Sequence, residues 1–148
     1  MSHYCKALII HCIDFRLGGA IKNYLARNDL FDNCDVVAVA GAVKNLVAPQ
    51  QEFDREVLLR QIAISKKLHH ITHLILMNHT DCGAYGSPRF AGEAGGRSAF
   101  TSRDEEKKKH FEDLKTASAM VKKKYSDLKI QTLLADIEDS EKINIFSV

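Results

Sequence analysis

The sequence predicts an α/β protein: a mainly parallel central sheet with helices on both faces and an antiparallel edge strand at its C-terminal end. Three observations predict it. Short, almost wholly apolar runs recur along the chain, as in strands covered on both faces. Amphipathic stretches of helical length separate them, which implies right-handed crossovers between parallel strands. The last two runs are joined by a short turn, which sets an antiparallel pair.

Taken in order, Ala7 to Asp14 is the first such run, with Leu8, Ile9, Ile10 and Ile13. Gly18-Gly19 break the chain, and Leu17, Ala20, Ile21, Tyr24, Leu25 and Asn28 follow at helical spacing. Asp35 to Ala42 reads as a second buried strand. Pro49 leads into a helix from about Glu52 to His69, with Phe53, Val57, Ile64 and Leu68 on one face. His73 to His79 is a third buried strand. The loop from Thr80 to Phe100 carries Pro88 and five of the eight glycines (Gly83, Gly86, Gly92, Gly95, Gly96). A loop that long suits a functional lid better than a plain connector. Thr101-x-x-Asp104 and Ser102-x-x-Glu105 resemble helix caps. The helix they start runs to about Lys124, with Phe111, Leu114, Ala117 and Val121 inward. Ile130 to Ile137 and Ile143 to Val148 are the last strands, around an Asp139-Ser140 turn.

At 148 residues the chain is expected to form one domain, residues 1–148. A net charge of +2 does not by itself imply a nucleic-acid or membrane partner, and neither is expected. No apolar run approaches the roughly 20 residues that span a bilayer. Asp14 and Arg16 interrupt any signal-peptide pattern at the N-terminus, so a cytoplasmic protein is expected. There Cys5, Cys12, Cys34 and Cys82 should stay reduced.

The chemistry collects at two strand ends. Cys12-Ile13-Asp14-Phe15-Arg16 closes the first strand, and the side-chain period of two puts Cys12 and Asp14 on one face. His79-Thr80-Asp81-Cys82-Gly83 closes the third. If these strands are neighbours, Cys12, His79 and Cys82 converge. Two thiolates and an imidazole suit zinc, and three ligands leave a fourth position for water. Asp14 either fills that position or pairs with Arg16. Thr80 and Asp81 are candidates for orienting a ligand.

Cys-x-Asp-x-Arg and His-x-x-Cys-Gly, on the first and third strands of a parallel sheet, resemble the signature of the β-class carbonic anhydrases. Val36 to Val47 (VVAVAGAVKNLV) is similar to that family's second strand and Ala-Gly loop, and Leu133 to Phe146 to its closing hairpin. Three departures stand out. Eleven residues precede Cys12, leaving no room for the N-terminal helices that embrace the partner subunit in many members. Phe15 replaces a small residue, and Ala38-Val39 stand where the family has Arg-Asn.

The resemblance implies reversible hydration of carbon dioxide to bicarbonate by a zinc-bound hydroxide. Asp14 would be oriented by Arg16 and hydrogen-bond the hydroxide. It also implies a homodimer or an assembly of dimers, for which the 80–100 loop and the first-strand edge are candidate contacts. Hydrolysis of carbonyl sulfide or carbon disulfide at the same site, and a non-catalytic zinc protein with Asp14 as permanent fourth ligand, are the alternatives. Zinc with two thiolates is formally neutral, so activity should rise from neutral to mildly alkaline pH as Asp14 moves from metal to Arg16.

Other features have plainer readings. Lys107-Lys108-Lys109 and Lys122-Lys123-Lys124 are solvated helix faces supported by i,i+4 ion pairs. His69, His70 and His73 are surface or capping residues, with His70 and His73 as an accidental metal site otherwise. Cys5 and Cys34 have no histidine or acid at a useful spacing and read as inert thiols. His11 points away from Cys12, and Gly18-Gly19 form either an anion nest or a tight turn.

Overall fold

A computed structural model describes residues 3–85, 95–138 and 142–148. In chain order these form β1 (Ala7–His11), a 3-10 turn (Phe15–Leu17), α1 (Gly18–Arg27), β2 (Cys34–Ala38), α2 (Lys44–Val47) and α3 (Glu52–His69). Then come β3 (His73–His79), a second 3-10 turn (Gly96–Ala99), α4 (Arg103–Lys124), β4 (Lys129–Ile137) and β5 (Ile143–Ser147). The sheet order is β2-β1-β3-β4-β5, parallel except for β5, which runs antiparallel to β4. The Asp139-Ser140 turn and most of the glycine-rich loop lie outside the described residues.

Alternate residues of β1 and β3 feed two cores. Ile9, Ile75 and Met77 pack with Ile21 and Leu25 of α1 on one face. Leu8, Ile10, Leu74 and Leu76 pack on the other with Leu46 of α2, Leu58 and Ile62 of α3, and Leu114, Ala117 and Val121 of α4. Both faces are therefore covered, which is why these strands read as continuous apolar runs. From β1 the chain crosses outward to β2 and then back to β3 on the other side. The strand order reverses there, and the crevice beyond the carboxyl ends of β1 and β3 is where such sheets bind ligands.

Several elements differ from expectation. β1 ends at His11, so Cys12 and Asp14 sit in the following turn, where Asp14 Oδ1 accepts the Arg16 backbone N–H at 3.0 Å. Gly18 and Gly19 open α1 rather than break the chain. β2 is shorter than expected and lies at the sheet edge, so it is not buried: Val36 is 53% exposed. A positive φ of 79° at Gly41 then turns the chain into α2, which periodicity did not anticipate.

α3 has the expected bounds but the opposite orientation. It buries Leu58, Ile62 and Ser65, whereas Phe53 and Leu68 are 66% and 55% exposed. The helix carries two apolar stripes, and packing against α2 and the sheet selects one. In α4 the expected Leu114, Ala117 and Val121 are joined inside by Glu106, His110 and Asp113. Its lysines serve the fold: Lys107 pairs with Asp136 at 2.5 Å and Lys109 with Asp113 at 2.7 Å. Among the described residues, no helix is long and apolar enough to cross a membrane.

Candidate metal centre

Because β1 and β3 are adjacent, the residues that follow them meet. One ligand atom from each of Cys12, His79 and Cys82 lies within 4.8 Å of the others, and the two sulfurs are 3.9 Å apart. All three side chains are buried. His79 Nδ1 donates to the Thr80 carbonyl at 2.8 Å, which leaves Nε2 as the acceptor. That Nε2 is buried and has no hydrogen-bond partner among the described residues.

A buried lone pair without a donor is costly, unless a metal takes it. The sulfurs point the same way. The Cys82 S–H donor pulls the Cys12 thiol well below its ordinary range, burial opposes this, and His79 assists. Cys82 is pushed up in turn by its contact with Cys12 and by burial. An imidazole and two thiols in this arrangement fit a zinc-class cation by chemistry as well as by position.

Asp14 stands at the edge of this cluster, its Oδ2 3.9 Å from His79 Nε2. Arg16 engages the carboxylate as a fork, with Nε 3.0 Å from Oδ1 and Nη2 2.6 Å from Oδ2. That pairing holds the Asp14 carboxyl below the usual range against the opposing effect of burial. Of the two arrangements left open by the sequence, the structure has the one in which Arg16 takes Asp14.

The comparisons with known proteins bear on a chain with this fold and this cluster. A family model described as "Putative carbonic anhydrase" matches residues 2–144. The chain belongs to this family. Its relatives include an uncharacterized protein of Rickettsia conorii, 28% identical over 133 residues that cover 90% of this chain and 68% of that protein. Another, from Rickettsia bellii, is 29% identical over 133 residues, covering 90% and 77%. Among solved structures, the β-carbonic anhydrase CafA of Aspergillus fumigatus matches with a TM-score of 0.50 and 13% identity, over 99% of this chain and 76% of that one. At that identity the likeness is one of fold.

Within this carbonic anhydrase fold, Thr80 and Asp81 find definite places. Thr80 Oγ1 donates to Asp136 Oδ1 at 3.1 Å and accepts Ile137 N–H at 2.8 Å, which pins the end of β3 to β4. Its carbonyl is the one that fixes the His79 ring. Asp81 Oδ2 accepts from Arg16 Nη1 at 2.9 Å, so Arg16 is gripped between two carboxylates. Asp81 itself has a positive φ of 59°. Its N–H donates to Glu106, and its Oδ1 accepts Arg97 N–H at 3.0 Å. Gly96, at φ 77°, packs so closely that an added Cβ would sit 2.8 Å from Asp81 Oδ1.

Glu106 and Arg97 were not anticipated. Glu106 stands in an acidic run that reads as a solvated helix start, yet it is 0% exposed. The phase of Leu114, Ala117 and Val121 carried back two turns reaches His110 and Glu106, which is the signal that finds them. Among the described residues, His70 and His73 join no metal cluster: His70 caps α3 and stacks on Tyr4, and His73 bonds Thr72. Cys5 departs from expectation, because folding brings it within ligand distance of Asp35 and His69.

Proposed function

We propose that the chain holds one zinc ion through Cys12, His79 and Cys82 and catalyses the reversible hydration of carbon dioxide to bicarbonate. The observation that carries this reading is the buried, unpartnered His79 Nε2 beside two thiols and an Arg16-held Asp14. Zinc, when bound, acidifies a water so that a nucleophile is available near neutral pH. Asp14 would accept a hydrogen bond from that water and orient it, and Arg16 would keep Asp14 from becoming a ligand itself. Asp81 grips Arg16 directly at 2.9 Å, and Glu106 holds Asp81 in turn by accepting its N–H.

The fork on Asp14 also weighs against a purely structural metal. A closed structural site needs a fourth ligand, and the nearest carboxylate is already committed to Arg16. Bidentate pairing of this kind is the stronger sort of charge-assisted hydrogen bond.

The active protein is proposed to be a homodimer or an assembly of dimers, cytoplasmic and with reduced cysteines. Ile13 and Phe15 flank Asp14 and are 62% and 91% exposed, an apolar lip that a second copy would cover. β1 lies inside the sheet, so its edge is not free for contact; the open edge belongs to β2. Residues 86–94 of the other candidate contact lie outside the described residues.

Stopped-flow assays with carbon dioxide, carbonyl sulfide and carbon disulfide, on wild type and Cys82→Ser, test the reading. The expected result is carbon dioxide hydration by the wild type, with activity and one equivalent of zinc lost in Cys82→Ser. A zinc-loaded wild type inactive on carbon dioxide overturns it, and turnover of a sulfur analogue would reassign the substrate. Light scattering at micromolar concentration tests the assembly, and a monomer contradicts it.

A further inference from the structure

The carboxyl end of the sheet does not hold all of the metal-binding chemistry. At the amino end, Cys5 enters β1, Asp35 is the second residue of β2, and His69 is the last of α3. Far apart in sequence, they are brought together because β1 pairs with β2 from Ala7 and Cys34 onward. The Cys5 N–H also donates to the His69 carbonyl at 3.1 Å. One sulfur, one oxygen and one nitrogen from the three side chains lie within 4.8 Å of one another. His69 Nδ1 is 2.7 Å and 2.9 Å from the two Asp35 oxygens.

We propose that Cys5, Asp35 and His69 form a second metal site, selective for a zinc-class divalent cation, at the opposite end of the sheet from the Cys12–His79–Cys82 cluster. The donor set fixes the class of ion. Thiolate and imidazole favour zinc and its neighbours over calcium or magnesium, which want oxygen. A thiolate, a carboxylate and a neutral imidazole carry two negative charges, which balance a divalent cation. On binding, the Cys5 S–H bond gives its proton to solvent as the sulfur–metal bond forms. The neutral His69 ring moves its proton from Nδ1, where it faces Asp35, to Nε2, which frees the Nδ1 lone pair for the metal.

The geometry needs little change. Tetrahedral zinc, with bonds of about 2.0 to 2.3 Å, sets its ligand atoms roughly 3.3 to 3.8 Å apart. The imidazole and carboxylate therefore open slightly while the thiol closes in. All three residues are half-buried, so an ion has a way in. Behind them Ser65, buried and one turn before His69, donates its hydroxyl to Asp35 Oδ2 at 2.5 Å. Such a bond orients a metal-ligating carboxylate. Cys34 stays outside: its thiol donates to the Asp35 carbonyl at 3.3 Å. An ion here ties the N-terminal segment, the edge strand β2 and the end of α3 together, a stapling role separate from catalysis.

The full chain carrying Cys82→Ser, which removes the first cluster, is titrated with cobalt(II) and with zinc. Bound metal per chain is read by mass spectrometry, and thiolate ligation by the cobalt charge-transfer band. One equivalent with a thiolate band is expected, against two equivalents in wild type. Adding Cys5→Ser or His69→Gln should remove both the equivalent and the band. A Cys82→Ser chain that binds no metal overturns the proposal, as does a Cys5→Ser, Cys82→Ser chain with unchanged metal and spectrum. Should the variants fail to fold, zinc protection of Cys5 from alkylation in wild type decides. Equal modification with and without zinc then overturns the site. None of these readouts depends on carbon dioxide turnover, so a failure here leaves the proposed function standing.

Discussion

One sheet presents a cluster of Cys, His and Asp side chains at each end, and the two differ in how far those side chains satisfy one another. At the carboxyl end, Cys12, His79 and Cys82 are at most 6% exposed, and His79 Nε2 has nothing to accept from among the described residues. At the amino end, Cys5, Asp35 and His69 are half-buried, and His69 and Asp35 already satisfy each other at 2.7 Å. An unmet buried acceptor costs about 1–3 kcal/mol, a cost that the proposed zinc would remove. In the second, those partners are already met, and an ion there must first part the His69–Asp35 hydrogen bond. On the proposed reading, tight retention is expected at the carboxyl end and weaker, exchangeable binding at the amino end.

The most drastic way to break the contrast is Cys82→Ser. It removes one of two thiols from the buried cluster, and the expected outcome is loss of its zinc and of all turnover above background. Metal analysis and stopped-flow hydration of the same preparation check both. The amino-end cluster should be unaffected.

Arg16→Ala comes next, because it leaves all three ligands in place. Asp14 then loses its fork and keeps only the residue-16 backbone N–H on Oδ1, so its Oδ2, 3.9 Å from His79 Nε2, is near enough to reach an ion held there. Zinc content should stay at the wild-type level while turnover falls by about 10²–10⁴-fold, the usual scale for losing a positioned proton-handling group. The rise in activity from neutral to mildly alkaline pH should vanish with it. Wild-type activity and pH profile in this variant would show that Arg16 does not control Asp14.

These two ends were not equally legible in the sequence. Cys12, Asp14, Arg16, His79 and Cys82 fall in two short segments, each following an apolar run, so closeness in sequence brings them to one crevice once β1 and β3 are neighbours. The strand period itself does not reach Asp14, because β1 ends at His11. Cys5, Asp35 and His69 come from three separate segments, and only the pairing of β1 with β2 and the length of α3 bring them together. No local spacing encodes that. The misplaced face of α3 has a related cause: Phe53, Val57, Ile64 and Leu68 form as good a stripe as Leu58 and Ile62. Periodicity shows that a stripe exists, but the neighbours decide which one is buried. Glu106 was hidden because charge outweighed phase in reading its run.

The dryness of the carboxyl end reaches below the ligands, to His110. It is 0% exposed, its Nδ1 lies 3.2 Å from Asn78 Nδ2, and its ring tilts against Tyr85 with centroids 4.2 Å apart. Burial, with His79 and Lys109 adding to it, pushes its pKa down to about 3 from the usual 6.5. The unfolded chain therefore takes up this proton first as pH falls. Its share of stability is full above about pH 6.5 and is lost progressively towards pH 3, on the order of a few kcal/mol in total. His110→Gln should flatten that part of the stability–pH curve, as read from denaturant midpoints between pH 7 and 4. An unchanged slope would mean that the acid sensitivity comes from elsewhere.

The finest probe is Ser65→Ala at the amino end. The Ser65 hydroxyl donates to Asp35 Oδ2 at 2.5 Å and fixes the carboxylate that faces His69 and Cys5. Removing it takes away no ligand and no charge, and alanine suits the helix interior. What is lost is orientation: Asp35 can rotate, and the ion must order it on binding. Losing a bond to a ligating group of this kind weakens metal affinity by about 10–100-fold, and the half-exposed setting puts the expectation at the low end, about tenfold. Competition against a chromophoric chelator in the Cys82→Ser background measures it without interference from the other cluster. Carbon dioxide hydration in an otherwise wild-type Ser65→Ala chain should not change. Equal affinity with and without the hydroxyl would mean that Ser65 only steadies the Asp35–His69 hydrogen bond. The two ends would then differ in burial but not in how their ligands are held.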